Sequence, residues 1–285
     1  MIPAAFDYDR PATLDDALGL LDHHRDAMVL AGGQSLLPLL KLRMASVGRL
    51  IDIGRIAELR GIRDRDGGVA IGALTTYREV LDSALVHERF PMLMAAIEGI
   101  GDVQVRNRGT IGGALAHADP ASDVPAFALA LDADIVLRSR SGERIVPARD
   151  FCQGAFRTAC KPGEILAEVR LPALPAGAGS AYRNLEQPAS GYSIVGVAAV
   201  VAMSHDRVSH VRVGITGVGE IAYRATRVEA DLLGSDGGPH VVMDAANHAA
   251  DGIEVASDIH ADRAYRTEMA KVFTRRALEA AFGRE

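Results

Sequence analysis

This sequence predicts an α+β protein of two units, the first of them itself bipartite. Three observations carry that reading. At 285 residues the chain is longer than one small core organises, so two domains are expected. Strand-like apolar runs and helical periodicity alternate through the first 171 residues. The stretch PALPAGAGS, Pro172 to Ser180, is then a linker, because small residues, Pro and Gly cannot hold a periodic element.

The elements follow in order. TLDDALGLLDHH opens on Thr13, an N-cap residue, and repeats leucine at helical spacing. AMVLAGG is a short strand running into paired glycines, and GRLIDIGRI, Gly48 to Ile56, is a second strand. GGVAIGALTTYREVLDS, Gly67 to Ser83, begins as a strand and turns helical at Thr76, where Thr-x-x-Glu with Glu79 makes a capping box. FPMLMAAIEGI is a helix. VRNRGTIGGALAHADPASDVPAFALALDADIVL passes from a glycine loop through a helix to a strand, and ILAEVRLP is a strand ending at Pro172. Beyond the linker, IVGVAAVVAMS and VSHVRVGITGVG read as an antiparallel pair, and after Tyr223 the chain turns helical as far as RTEMAKVFTRRALEAAF.

Composition narrows the function. With 48% hydrophobic and 24% charged residues the chain can bury real cores. A net charge of −6 and a pI near 5.9 argue against a nucleic-acid surface, which needs a clustered basic face. No apolar run reaches the length of a membrane span, and Asp7, Asp9 and Arg10 leave no room for a signal peptide. Two cysteines, Cys152 and Cys160, make neither a disulfide framework nor an iron–sulfur or zinc set. The expectation is a cytoplasmic protein in a reducing compartment.

Two glycine pairs are the first candidate site. Gly32-Gly33-Gln34-Ser35 follows a strand, and Gly112-Gly113 follows the turn NRGT. Without a Cβ, consecutive amides can converge as donors around a diphosphate, and Ser35 and Thr110 can add hydroxyls. One such pair is ordinarily a plain turn; two, each at the edge of an α+β unit, suit the two phosphates of a dinucleotide. Near the second pair, Ser122 or Asp123 is expected to cap the helix VPAFALALDA, and the rival role for Asp123 is to accept hydrogen bonds from ribose hydroxyls. His117, beside a helix, reads as structural. A P-loop, a Gly-x-Ser-x-Gly elbow and a His-Glu-x-x-His motif are all missing. Gly217-x-Gly219-x-x-Ala222 matches a Rossmann fingerprint formally, but no parallel strand with a terminal acid follows, so a turn after an antiparallel strand is expected. That fingerprint is the route to an alternative reading, a stand-alone NAD(P)-dependent oxidoreductase. A third is a ligand-free assembly module.

AGGQSLLPLLKLRMA, IGALTTYREV, QVRNRGTIGGALAHADPASDVPA and EILAEVRLP, in this order, resemble the FAD-binding medium subunit of the xanthine dehydrogenase and carbon monoxide dehydrogenase (molybdenum hydroxylase) family. The resemblance runs essentially end to end. It implies a two-lobed vanillyl-alcohol-oxidase/PCMH-type FAD-binding domain at 1–175, with lobes of about 1–55 and 56–175, and a smaller α+β domain at 176–285. It implies a first clasp on the FAD diphosphate from Ala31, Gly32, Gly33, Gln34, Ser35 and Leu36, and a second from Thr110, Gly112 and Gly113. Asp123 falls near the ribose or adenine, Thr75 near the cofactor, Leu166 and Arg183 at a cofactor-contacting leucine and a basic residue, and Tyr192 near the isoalloxazine. Two positions depart from the family pattern: Gln34 stands where histidine is commonest and Ala114 where asparagine is frequent, so the first cannot titrate and the second loses a side-chain hydrogen bond. The implied protein is an oxidoreductase subunit with no general acid or base of its own. It takes electrons from a [2Fe–2S] small subunit, which receives them from a molybdenum-cofactor large subunit, and passes them to an external acceptor. The implied assembly is a dimer of heterotrimers.

Overall fold

The computed structural model of the protein describes residues 2–284. Its first sheet is parallel and small: β1 (Asp7–Asp9), β2 (Ala27–Leu30) and β3 (Arg49–Asp52), in the order β1-β3-β2. Helix α1 (Leu14–His23) precedes β2, capped by Thr13 Oγ1, which accepts the Asp16 amide. Its buried residues Leu14, Ala17 and Leu18 recur at helical spacing and pack on Ile51, Ile53 and Ile56. Helix α2 (Leu36–Lys41) follows β2 after the glycine pair. The second strand expected here, Gly48 to Ile56, stops at Asp52, whose Oδ1 accepts the Gly54 amide at 2.8 Å. That side-chain turn competes with the ladder and leads into a 3₁₀ turn over Ala57–Leu59.

The second sheet is antiparallel throughout. It contains β4 (Ile62–Arg65), β5 (Gly68–Gly72), β6 (Asp134–Ser139), β7 (Gly142–Pro147) and, after a small hairpin of β8 (Cys152–Gly154) and β9 (Arg157–Thr158), β10 (Ile165–Leu171). The order is β4-β5-β10-β6-β7. Between β5 and β6 run helices α3 (Tyr77–Leu81), α4 (Ala84–Arg89), α5 (Pro91–Glu98), α6 (Val103–Arg106), α7 (Ile111–His117) and α8 (Asp123–Ala130), and the short α9 (Ala148–Phe151) follows β7. The capping box at Thr76 and Glu79 is formed as the sequence predicts. After its first residue, Asp123, helix α8 is apolar all round, and all eight of its residues are buried. It lies between α5 and α7 on one side and the next sheet on the other, which is where a helix without a polar face has to go.

The third sheet is a meander of β11 (Gly179–Glu186), β12 (Ser193–Ser204), β13 (Arg207–Thr216) and β14 (Tyr223–Arg224). Its residues alternate between two cores: Tyr182, Ala198 and Val200 belong to the core that includes α8, while Ala181, Val197 and Ala199 belong to the core of the C-terminal helices. Those helices are α10 (Thr226–Leu232), α11 (Pro239–Ala246) and the long α12 (Arg263–Ala281). The apparent linker is shorter than expected, since Gly179 and Ser180 already pair with Val201 and Val200. The Gly217-x-Gly219-x-x-Ala222 segment joins antiparallel strands β13 and β14, and the Gly217 amide donates to the Pro120 carbonyl at 2.9 Å. It is a turn, as expected, and no parallel βαβ unit surrounds it.

Candidate cofactor site

The two glycine pairs lie side by side. A Cβ on Gly32 would run into the Arg108 carbonyl oxygen, so the first pair packs directly on the turn that leads to the second. Gly33 takes left-handed backbone at φ +76°, which turns the chain from β2 into α2. Among the described residues, the amides of Gly32, Gly33, Gln34, Ser35 and Leu36 donate no hydrogen bond within the chain. Five consecutive unsatisfied donors at a strand–helix junction form a ready cradle for an anion. Gln34 is exposed and its Nε2 donates to the Gly32 carbonyl at 3.3 Å, stiffening the loop. Ala31 and Leu36 flank it, both half-buried.

The second pair differs from the expectation of a glycine loop. Gly112 and Gly113 are in the first turn of α7, with Thr110 as N-cap. The Gly113 amide donates to Thr110 Oγ1 at 3.1 Å and the Gly112 amide to the Ala73 carbonyl at 3.0 Å. These two amides are used inside the fold, and Thr110 Oγ1 accepts one of them. Gly112 is required for packing: a Cβ would come within 2.8 Å of Ala73 Cα. Thr75 is fully buried; its hydroxyl bridges to Gly61 and its carbonyl accepts the Ile111 amide, so it fixes where α7 begins.

The third sheet reaches into the same place. Tyr192, 43% exposed, interacts through its hydroxyl with the Ser35 side chain of the first loop. Burial of that hydroxyl end, and then the negative charge of Asp119, hold its pKa above the ordinary tyrosine value. Its neighbour Ser193 donates to Asp123 Oδ1 at 2.5 Å, and Tyr182 donates to the same oxygen. Asp123 is only 4% exposed, and burial pushes its carboxyl up to about 6 against the lowering effect of those two bonds. The expected cap is absent: Ser122 occupies the N-cap position without a side-chain bond, and Asp123, the first residue of α8, turns to the third sheet instead. Both hydroxyl donors go to Oδ1, which leaves Oδ2 without a side-chain partner among the described residues.

Thus residues 31–36, Thr75, Thr110, Gly112, Gly113, Asp123 and Tyr192 gather where the three sheets meet. Leu166 lies in β10, which packs on α7, and shares a core cluster with Leu115. Arg183 lies on the sheet face of Ala181 and Leu185, opposite Tyr182, and donates to the Tyr182 carbonyl at 2.9 Å. Tyr182, Ser193 and Ala73 are participants that sequence reasoning missed, since each is defined by a contact made far along the chain. Among the described residues no group of three potential ligands could hold a metal ion, and no helix is long and apolar enough to cross a membrane. An open basin of about 1170 Å³ lies elsewhere, against α1, lined by Arg10, Asp16, His23 and Arg140 among others.

Comparison with known proteins shows the same two-part organisation. Residues 4–174 match the model of the FAD binding domain in molybdopterin dehydrogenase, and residues 180–281 that of the CO dehydrogenase flavoprotein C-terminal domain. The chain is 42% identical to the carbon monoxide dehydrogenase medium chain of Hydrogenophaga pseudoflava, over 100% of this chain and 99% of the relative. It is 38% identical to the glyceraldehyde dehydrogenase medium chain of Sulfolobus acidocaldarius, over 98% and 99%. A solved structure of the H. pseudoflava carbon monoxide dehydrogenase, in a form lacking the Mo-pyranopterin moiety of its molybdenum cofactor, superposes with a TM-score of 0.97 at 44% identity, covering 100% of this chain and 99% of that one.

Proposed function

The chain belongs to the family of FAD-binding medium subunits of carbon monoxide dehydrogenase and xanthine dehydrogenase-type molybdenum hydroxylases, and from that premise we propose how its residues hold and use the cofactor. It is the flavoprotein component of an oxidoreductase complex and works with a small and a large subunit. Gly32 to Leu36 take the FAD diphosphate on their backbone amides, and Ala31 lines the entry. Thr110, Gly112 and Gly113 serve by shape: they bring the start of α7 against the first loop so that no side chain intervenes. Asp123 keeps Oδ1 for Tyr182 and Ser193 and offers Oδ2 to a ribose hydroxyl. Tyr192 closes the cleft from the third sheet, and Thr75 supports it from below. Leu166 supports the cleft from the core, and Arg183 supplies the basic residue that the family pattern places at the cofactor.

Bound FAD supplies two-electron redox chemistry, the protein setting only its position and electrostatic surroundings. The electrons come from a [2Fe–2S] small subunit, behind which stands a molybdenum-cofactor large subunit, and leave to an external acceptor; the assembly is a dimer of heterotrimers in the cytoplasm. The FAD-binding domain is residues 1–175 and the C-terminal domain 176–285, a division supported by the element-free run from Pro172 to Ala178. The lobes of the first divide near residue 55, where the parallel sheet ends.

The observation that carries this reading is the contact of Gly32 with the Arg108 turn beside five unpaired amides. Purified chain is expected to be yellow. Replacing Gly32 and Gly113 together with valine is expected to weaken FAD about a hundredfold: a side chain at Gly32 meets the Arg108 carbonyl and one at Gly113 meets Thr110 Oγ1, so the first loop is pushed aside and about two of its bonds to the diphosphate are lost, at about 1.5 kcal/mol each. The measurement is flavin absorbance after dialysis, with circular dichroism to confirm folding. Colourless wild-type protein that takes up no added FAD would overturn the assignment.

A further inference from the structure

The sheet that brings Ser193 to Asp123 is irregular at that place. Leu185 pairs with Val195 and Glu186 with Ser193, so Ile194 is an extra residue in β12, a bulge. The bulge changes where Ser193 points. In an unbroken strand Ser193 would share the face of Val195 and Val197, which pack in the core of the C-terminal helices. Its hydroxyl instead meets Asp123 on the opposite face, that of Gly196, where a Cβ would come 3.2 Å from Asp123 Oδ1. Beyond the last β12–β13 pair, Gly196 with Thr216, the Ile194 and Gly217 carbonyls both turn to one cation. Arg266 of α12 donates from Nη1 to the Ile194 carbonyl at 2.7 Å and to the Gly217 carbonyl at 2.5 Å, and from Nη2 to Asp258 Oδ2 at 2.6 Å. Asp258 is itself fixed by the His260 and Ala261 amides, which donate to its Oδ1 at 2.8 and 3.0 Å.

Arg266 is only 4% exposed, and its Nε has no partner among the described residues. A guanidinium buried on those terms is a weak source of stability, since a packed apolar side chain of similar volume often serves as well. What an apolar side chain cannot do is hold two carbonyl oxygens at one point, where without a donor they repel and part. We propose that Arg266 is a positioning residue of the cofactor site, acting from the C-terminal domain: it pins the Ile194 bulge to the Gly217 turn, and so holds the Asp123 carboxyl in place for the ribose. The inference rests on the FAD reading above and adds how the second domain takes part in it. Two short branches carry the effect. On one, the pinned Ile194 carbonyl fixes its neighbour Ser193, whose hydroxyl donates to Asp123 Oδ1 at 2.5 Å. On the other, the pinned Gly217 donates its amide to the Pro120 carbonyl at 2.9 Å, at the start of the turn that leads to Asp123.

The test is a double-mutant cycle on FAD affinity. Full-length chain stripped of flavin is titrated with FAD, flavin fluorescence gives the dissociation constant, and circular dichroism confirms that each variant is folded. Arg266→Gln is expected to weaken FAD about tenfold, and Arg266→Lys, which keeps a charged donor at the two carbonyls, by no more than about twofold. Beside Asp123→Asn, Arg266→Gln is expected to cost nothing further, because both changes break one network. A side chain that served stability alone would lower Tm and leave the affinity of the folded chain unchanged. The proposal is overturned if Arg266→Gln binds FAD as wild type does, if lysine does no better than glutamine, or if the same loss recurs in full beside Asp123→Asn. Should Arg266→Gln not fold, Asp258→Asn replaces it: the amide keeps Oδ1 for its two backbone donors and removes the oxygen that receives Nη2. It is expected to weaken FAD about threefold in the wild-type background and not at all beside Asp123→Asn, and unchanged affinity overturns the proposal equally. Wild-type chain that takes up no FAD would instead mark failure of the cofactor reading itself.

Discussion

Asp123 illustrates at the scale of one residue how burial outweighs hydrogen bonding. Two hydroxyls donate to it, yet removal from water dominates and its carboxyl titrates near 6 rather than at 3.8. An acid with a raised folded-state pKa holds its proton more tightly in the folded chain than in the unfolded one. Its contribution to stability is therefore fully present below about pH 4 and is lost as pH rises through about 6. Asp132 and Glu164, held below the usual carboxylate range chiefly through their arginine partners against the opposing effect of burial, contribute with the opposite sign. Comparison with Asp123→Asn cancels them. The stability of wild type relative to this variant is expected to fall by roughly 3 kcal/mol between about pH 4 and about pH 7, two pKa units' worth. Urea unfolding across that range measures it, and parallel profiles for the two proteins would refute the assignment. No pattern in ASDVPA announces this role, because Tyr182 and Ser193 arrive from 59 and 70 residues away.

Among elements, local chemistry was legible and long-range packing was not. Thr13 and Thr76 cap their helices as read, since an N-cap and its partner lie within three residues. Helix α7 escaped notice because Gly112 and Gly113 are poor helix formers, and what holds them is the fit of Gly112 against Ala73. Strand β11 was missed because its polar residues Arg183, Asn184 and Glu186 give a weak alternation, which only its pairing with β12 supports. The Thr110 cap gives a direct test. Thr110→Val keeps the shape and removes the oxygen that receives the Gly113 amide, and is expected to cost about 1 kcal/mol. For a domain this size that is roughly 2–4 °C in Tm by calorimetry. An unchanged Tm would mean that the cap does not hold the turn.

For the whole molecule, the question is what joins the third sheet to the rest. Thr216 Oγ1 donates to the Pro120 and Ser122 carbonyls at 2.8 Å each, and Arg212 and Arg224 both meet Asp132, each at 2.7 Å. Arg224 also holds Glu229 within its own domain, so the network is shared across the junction. Asp132 is partly exposed, and its removal as Asp132→Ala is expected to cost about 1 kcal/mol or less. Its larger effect is expected in dynamics: cleavage by a protease in the exposed run 172–178 should speed several-fold, as local opening becomes easier. Time courses on gels give the rates, and equal rates would place the junction's strength elsewhere.

The amino-acid sequence by itself determined the α+β alternation, the capped helices, the antiparallel pair beyond the linker and, through four ordered motifs, the FAD-subunit family. Each of these depends on spacing within a few residues or on words that survive in order along the chain. The tertiary structure alone decided that the first glycine pair keeps its amides free while the second spends them, that Asp123 serves the third sheet, and that Tyr192 meets Ser35. Those outcomes turn on which backbone groups find partners, and a partner tens of residues distant in sequence becomes a neighbour only when the sheets have packed.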